Sequence, residues 1–404
     1  MSENYAIIGG GQAGLQAAVT LRQKNADAAI DLYCAEDCLP YQRPPLSKAY
    51  LKGEMAEDRL YFRPDDFFDS QNISVALSTR VSEVDASSRE LTFESGEKKA
   101  YDKLLIATGA PPRRLSAPGA DLEGVFYLRS LRDSDSLRPI LETPGPIAIV
   151  GAGYIGLEVA AVMRAAGKEV VVLEMADRVL ARVASEPVSA FFQMIHADAG
   201  VDLRLGAALS EIAGKGAVSG VVLSDGTEVP CSAVLIGIGA VPEIGIAEQA
   251  GLTIDNGIVV DDHARTSDET IWAAGDCTNF PSPRYGRRMR LESVPNAIEQ
   301  GKAAALNMAG DDVVYDALPW FWSDQYDVKL QTVGLMEGFD ELIVRGKPEM
   351  RKMSVWYFKG DDLLAVDAIN DPAAFAVSKR ALTNNMKIDR QKLPSEADLK
   401  SVLL

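Results

Sequence analysis

Few residues in this chain could hold a metal or form a disulfide. There are four cysteines, Cys34, Cys38, Cys231 and Cys277, and two histidines, His196 and His263. Their spacing gives neither a disulfide framework nor a paired C-x-x-C zinc pattern, so no structural metal site is expected. Long apolar runs are missing too, since none approaches the roughly eighteen residues of a membrane span. Met1-Ser2-Glu3-Asn4 carries no basic segment and no apolar signal core, so secretion is not expected and the cytoplasm is the default. Positive charge is scarce. A net charge of −17 over 404 residues argues against general nucleic-acid or anionic-membrane binding. Low-complexity tracts and short tandem repeats are also absent. The rest is ordinary globular composition, 47% hydrophobic and 25% charged, at a length that fits two or three domains.

Glycine, by contrast, is concentrated in a telling pattern. Ile7-Ile8-Gly9-Gly10-Gly11-Gln12-Ala13-Gly14 and Ile149-Val150-Gly151-Ala152-Gly153-Tyr154-Ile155-Gly156 are each an apolar strand running through G-x-G-x-x-G into a helical pattern. Such a turn lays a dinucleotide pyrophosphate on a helix N-terminus. The first glycine permits the tight turn, the second lets phosphate come close, and the third packs helix on strand. One copy is a weak signal, but two copies in strand–turn–helix context point to two dinucleotides.

Each turn has a second strand in which a terminal carboxylate can accept from ribose hydroxyls. After the second turn, Val170 to Leu173 ends directly in Glu174, at about the expected twenty residues from the first glycine. A carboxylate there repels a 2′-phosphate and favours NADH, although Arg178 and Arg182 nearby are cations of the kind that hold one. After the first turn the strand Ile30 to Cys34 ends early, and Glu36 is the ribose candidate, with a solvated loop glutamate as the alternative. In Leu39-Pro40-Tyr41-Gln42-Arg43-Pro44-Pro45-Leu46-Ser47-Lys48 the prolines hold an extended segment, and Pro45 suits the first turn of a helix. Arg43 and Lys48 are cations suited to a pyrophosphate or an anionic reduced flavin.

Further apolar strands close on glycine. Leu104 to Ala107 stops at Thr108-Gly109, and Ala233 to Ile238 stops at Gly239-Ala240, which reads as a return to the first domain. Ile271-Trp272-Ala273-Ala274-Gly275-Asp276 ends in a pair able to bond a polyol chain. Pro295 to Met308 reads as a helix. Beyond Gly310, aromatic and strand-like runs followed by helices read as a third domain with an antiparallel sheet.

Taken together, the two glycine turns, Leu46-Ser47-Lys48, Ala107-Thr108-Gly109, Thr266-Ser267, Ala273-Ala274-Gly275-Asp276, Glu292-Ser293-Val294-Pro295-Asn296-Ala297 and Pro319-Trp320-Phe321-Trp322-Ser323-Asp324-Gln325 resemble one family over nearly the whole chain. It is the FAD-dependent, NADH-linked ferredoxin reductases of bacterial cytochrome P450 and aromatic-ring dioxygenase systems. The resemblance implies an α/β, glutathione-reductase-like fold with two Rossmann-like domains and a C-terminal α+β domain. The expected boundaries are residues 1–110 and 233–312 for FAD, 111–232 for NAD and 313–404 for the C-terminal domain. On the FAD side it implies Gly9, Gly11, Ala13, Gly14, Glu36, Arg43, Lys48, Val81, Arg129 and Asp276, with Val294 offering a backbone N–H to the flavin pyrimidine and Trp322 beside the flavin ring. On the NAD side it implies Gly151, Gly153, Ile155, Gly156, Glu158, Glu174 and Gly239. Lys48 paired with Glu158 is the expected catalytic pair, tuning the reduced flavin and positioning NADH. A [2Fe-2S] ferredoxin is the implied partner, and through it a P450 or ring-hydroxylating dioxygenase. The family also implies a monomer. Such ferredoxins are usually acidic, so docking on this acidic chain calls for a local basic patch. Arg284, Arg287, Arg288 and Arg290 form its densest basic run, with a solvated loop as the alternative.

Three rivals follow from the same fold. A disulfide reductase wants C-x-x-x-x-C, but Cys34-x-x-x-Cys38 has a three-residue gap, and a strand-end Cys34 suits a small buried hydrophobe. An NADH oxidase or peroxidase wants one active cysteine near Cys38, which the Pro44-Pro45-Leu46-Ser47-Lys48 continuation disfavours. A redox-sensing flavoprotein wants an added basic or disordered segment, which is missing.

Overall fold

The computed structural model describes residues 3–404. The chain forms two compact units. One comprises residues up to Gln42, Glu57–Pro111 and Ala240–Ala317. The other comprises Arg43–Ala56, Pro112–Gly239 and Leu318–Leu404.

The first unit is built on a parallel sheet in the order Ile271–Ala273, Lys103–Ile106, Asn4–Ile8, Ala29–Tyr33, Ser74–Ala76. Its central strands read as continuous apolar runs because both faces are covered, and Tyr5, Ile7, Leu32 and Leu105 are all buried. The helix Gln12–Lys24 covers one face and packs on the helix Val294–Met308. The two approach so closely that a Cβ at Gly301 would lie 2.5 Å from the Ala13 carbonyl oxygen. Two small sheets complete the unit, an antiparallel one of Val81–Asp85, Glu90–Phe93 and Lys98–Ala100 and a mixed one of Ile258–Val259, Thr278–Ser282 and Arg287–Met289.

The second unit repeats the plan. Its parallel sheet runs Asp202–Leu205, Val170–Glu174, Ile147–Val150, Ala233–Ile236, Val125–Phe126. The helix Tyr154–Ala165 follows the second glycine turn, and Glu186–Asp198 follows the ribose strand. The C-terminal part is an antiparallel sheet, Trp320–Gln325, Val328–Gly334, Asp362–Ile369, Lys352–Lys359, Glu341–Lys347, backed by the helix Pro372–Thr383.

Two expectations about the division of the chain are corrected here. Residues 233–236 do not return to the first domain. All four are buried and pair in parallel with Ile147–Val150, because a doubly wound half needs a strand on each side of its first strand. Residues 43–56 do not stay with the first domain either. Leu51 shares a core with Leu157 and Leu137. The Ser134 hydroxyl donates to Leu46 O at 2.9 Å, and the Arg138 guanidinium donates to Tyr50 O at 2.7 Å while lying over the Tyr50 ring. Pro44–Ser47 is a short 3₁₀ turn that opens on Pro44 and Pro45, as two prolines permit at a helix start. Among the described residues, no helix is long and apolar enough to cross a membrane.

Candidate functional site

The two glycine turns obey the same steric logic. Gly9 has a φ of +110° and Gly151 one of +100°, which glycine alone adopts freely. A Cβ at Gly9 would lie 2.3 Å from Ala107 O, and one at Gly151 would lie 2.4 Å from Gly237 O. The third glycines are fixed by their own turns: a Cβ at Gly14 would lie 1.9 Å from Gly9 O, and one at Gly156 would lie 2.3 Å from Gly151 O. The middle glycines differ. Gly11 and Gly153 are helix N-caps with extended backbone, and a Cβ on either would meet no protein atom within 4 Å. Neither backbone strain nor packing requires glycine there. The open space lies beside unpaired helix N–H groups, where an anion can approach. That is the fit expected of a pyrophosphate cradle, present once in each unit.

The two strands expected to carry the ribose carboxylates do not end alike. Gly9 N–H donates to Tyr33 O and Gly151 N–H to Leu173 O, so Cys34 is the structural counterpart of Glu174. Glu174 grips its turn directly, Oε2 accepting from Ala152 N–H at 2.8 Å and Oε1 from Ala176 N–H at 2.9 Å. In the first unit the Cys34 thiol fills that space, and a Cβ at Gly10 would lie 2.4 Å from its sulfur. The acid is displaced to Glu36, half-buried, with Oε2 accepting from the Tyr41 hydroxyl at 2.6 Å. Arg178 is spent within its own loop, donating to Ala184 O, Ser189 Oγ and Ala181 O. Arg182 is exposed and sits beside Gly239.

Within the first unit, Gly9, Gly11, Ala13, Gly14, Glu36, Val81, Asp276 and Val294 are found together. Gly275 has a φ of +90°, packs on Ala13, and donates its N–H to the buried Gln300 at 2.8 Å, fixing where Asp276 begins. Val294 opens its helix behind the cap Ser293, so its N–H is one of the four without an intrahelical acceptor. Arg43, Lys48, Arg129 and Trp322 belong to the second unit, where Arg43 donates to Arg129 O at 2.8 Å. Ile155 is 47% exposed on the first turn of its helix.

Lys48 and Glu158 do meet. Lys48 Nζ lies 2.6 Å from Glu158 Oε2, and the carboxylate is 3% exposed. The Ser47 hydroxyl donates to the same oxygen at 2.5 Å, and the Ser323 hydroxyl donates to Oε1 at 2.7 Å. The sequence reading missed both serines as site residues. They lie inside the motifs Leu46-Ser47-Lys48 and Trp320 to Gln325, so motif membership was the available signal.

The basic run divides. Arg288 donates from Nε to Asn279 Oδ1 and from Nη2 to Val260 O, and Arg290 pairs with Glu292 at 2.5 Å. Those two guanidiniums brace the loop, and both Arg287 and Arg288 are exposed.

All four cysteines are free and buried. Burial, with the nearby Glu36 and Cys38, pushes the Cys34 thiol up to about 12, and burial raises the Cys231 thiol to about 11. Burial thus disfavours the nucleophilic thiolate at Cys34 and at Cys231.

His196 is fully buried, with Nε2 2.8 Å from Gln325 Oε1. Burial pushes its pKa down to about 4, against 6.5 for a free side chain. The folded protein therefore binds fewer protons than the unfolded chain between those values, and stability falls as pH drops through that window, by about 3 kcal/mol. His196→Gln is expected to remove that share of the acid sensitivity. Chemical denaturation at pH 7 and pH 4.5 checks this, and an unchanged pH slope in the variant refutes it.

Two glycine turns of this geometry, each between a parallel sheet and a helix, fit a dinucleotide-dependent oxidoreductase. The chain belongs to the pyridine nucleotide-disulphide oxidoreductase family, which matches residues 3–301, and residues 320–403 match the reductase C-terminal family. Members of the first family use FAD and NAD(H). The chain is 43% identical to a 5,5′-dehydrodivanillate O-demethylase ferredoxin reductase subunit of Sphingobium, covering 97% of this chain and 96% of the relative. Its structure superposes with a TM-score of 0.97 on the ferredoxin reductase of the CYP199A2 system from Rhodopseudomonas palustris, at 42% identity and full coverage of both chains. It superposes with a TM-score of 0.96 on putidaredoxin reductase in its covalent complex with putidaredoxin, at 40% identity over 99% of this chain and 98% of that one.

Proposed function

We propose that the chain is an NADH-dependent ferredoxin reductase, passing electrons from NADH through FAD to a [2Fe-2S] ferredoxin that serves a P450 or ring-hydroxylating dioxygenase. The single observation that carries the reading is the pair of glycine turns, each with a middle glycine that no protein contact explains. A bound flavin supplies the conversion of a two-electron donor into single electrons. The protein's part is binding, orientation and charge.

In this reading the first unit, with Gly9, Gly11, Ala13, Gly14, Glu36, Val81, Asp276 and Val294, holds the flavin nucleotide. The segment between Pro112 and Gly239 holds NADH on Gly151, Gly153, Gly156, Glu174 and Gly239, and Leu318–Leu404 is the C-terminal domain. Glu174 accepts from the adenosine ribose and repels a 2′-phosphate, which favours NADH. Ile155 covers one face of the nicotinamide, and Glu158 accepts from its carboxamide. Lys48 holds that carboxylate in place. No side chain is needed as a proton donor for hydride transfer. Arg284, Arg287, Arg288 and Arg290 form the cationic docking patch for an acidic ferredoxin, Arg288 and Arg290 also bracing its loop.

Anaerobic stopped-flow absorbance tests the reading. NADH is expected to bleach the bound flavin rapidly, and oxidised [2Fe-2S] ferredoxin is expected to restore the colour promptly. In Arg284→Gln/Arg287→Gln only the second step is expected to slow and to lose its salt dependence. Reoxidation by a disulfide or peroxide but not by ferredoxin would overturn the assignment. An unaltered second step in the double variant would overturn the docking site alone.

A further inference from the structure

We infer that the strand Trp320–Gln325 of the C-terminal sheet aims the Glu158 carboxylate through a one-way hydrogen-bond chain, so that Ser323 and Gln325 are positioning residues for NADH. The inference rests on the reading in which Glu158 meets the nicotinamide carboxamide.

Alternate residues of a strand share a face, and here Phe321, Ser323 and Gln325 form a ladder. Tyr154 and Glu158, one helical turn apart, lie on one side of their helix. The Phe321 ring packs edge-on to Tyr154 with centroids 4.6 Å apart. The Ser323 hydroxyl donates to Glu158 Oε1 at 2.7 Å. Gln325 lies behind Ser323, donating from Nε2 to Ser323 Oγ at 3.2 Å. Its Oε1 faces His196 Nε2 at 2.8 Å, and His196 Nδ1 faces the Tyr326 hydroxyl at 3.1 Å.

The polarity of this chain follows from its far end. An ionised carboxylate only accepts. Ser323 has one proton and gives it to Glu158, so toward Gln325 it accepts. Gln325 then presents its amide N–H to Ser323 and its carbonyl to His196. A flipped Gln325 amide would call the Ser323 proton away and leave Oε1 bare. His196 therefore carries its proton on Nε2 and accepts from Tyr326 at Nδ1. Every donor in the row points toward Glu158. Ser323 and Gln325 are each 1% exposed and His196 is fully buried, so the row is shielded from bulk solvent.

Counting acceptor positions shows what the chain accomplishes. A carboxylate offers about four lone-pair sites. Ser47 and Lys48 occupy two on Oε2, and Ser323 occupies one on Oε1. One site on Oε1 is left, with its direction set by Ser323. A primary carboxamide N–H suits that vacancy. Lys48 supplies the charge, and the C-terminal strand supplies the aim.

The test is a double-mutant cycle on the flavin-loaded enzyme, reading the rate of flavin reduction by NADH and the affinity for NAD+ by calorimetry. Ser323→Ala is expected to lower both about ten-fold, the loss typical of a buried hydrogen bond to a charged group. Ser323→Thr, which keeps the hydroxyl, is expected to restore both. In a Glu158→Gln background Ser323→Ala is expected to add less than two-fold, because a residue that acts only through Glu158 has nothing left to aim. Gln325→Met, one link further out, should give a smaller loss of the same kind, and the cycle is run with it if Ser323→Ala does not fold. Independent, multiplying losses in the double variant would overturn the proposal. So would wild-type behaviour of Ser323→Ala beside an impaired Glu158→Gln. An unimpaired Glu158→Gln would instead defeat the nicotinamide reading of Glu158, and the proposal with it.

Discussion

Gly153→Val is expected to give a folded, flavin-loaded protein that NADH no longer reduces, whereas Gly156→Val is expected to lower the melting temperature markedly. The two residues belong to the same turn, three positions apart. A Cβ at Gly153 meets nothing within 4 Å, while one at Gly156 would lie 2.3 Å from the Gly151 carbonyl oxygen and 3.3 Å from the Ile149 side chain. Backbone cannot retreat as a flexible side-chain end can, so at Gly156 the helix Tyr154–Ala165 must lift off its sheet. Overpacking of that kind costs about 1–3 kcal/mol or more, and it strikes the core that contains Ile149 and Leu157. At Gly153 the added isopropyl group fills the space left for phosphate. The expected loss in NADH affinity is at least about 100-fold, equivalent to about 3 kcal/mol of phosphate contact. Circular dichroism melting separates the two outcomes from a titration of flavin reduction. If Gly153→Val bound NADH normally, the second cradle would be a turn and nothing more.

The second large effect concerns the buried ion pair. Lys48→Met keeps the length of the side chain but leaves the Glu158 carboxylate with two hydroxyl donors and no counter-charge. Removing one partner of a buried pair typically costs about 3–5 kcal/mol. Flavin reduction by NADH is expected to slow about 100-fold, because the acid that receives the carboxamide loses the charge that holds it. Lys48→Met combined with Glu158→Gln removes the stranded charge along with the lysine. That variant is expected to melt close to the native protein while remaining slow. Recovery of rate together with stability would mean that the pair serves only the fold. An undiminished single-turnover rate in Lys48→Met would remove Lys48 from the chemistry.

Much of this architecture was legible in the sequence because it rests on local rules. The glycine turns, the strand that ends in Glu174 and the proline-led turn at Pro44 each announce themselves within a few residues. The misplacements arose where partners lie far apart in the chain. Residues 233–236 are an apolar run closed by glycine, a form common to both sheets, and only their pairing with Ile147–Val150 decides which sheet they join. The segment from Arg43 follows a strand of the first unit, yet Leu51 and Tyr50 find their packing against Leu137 and Arg138. The loop-bracing bonds of Arg288 go to Val260 O and Asn279 Oδ1, a distant backbone group and an uncharged side chain that charge patterning does not register. Ser323 and Gln325 carried no chemical signature of their own, and they gain meaning only when the strand lies beside Glu158.

The close seating of Gly301 on Ala13 bears on how the chain matures. The first helix of the chain is clamped by one that leaves the ribosome nearly three hundred residues later, and the sheet beneath it waits for Ile271–Ala273. The second unit is also unfinished until Leu318–Leu404 is present. At roughly 5–20 residues per second, synthesis of the whole chain takes on the order of tens of seconds. During that interval the earliest apolar strands have no permanent cover. Until the helix Val294–Met308 has been made, the face of Gln12–Lys24 that it covers has no partner, so the first unit closes only after most of the chain has been synthesised.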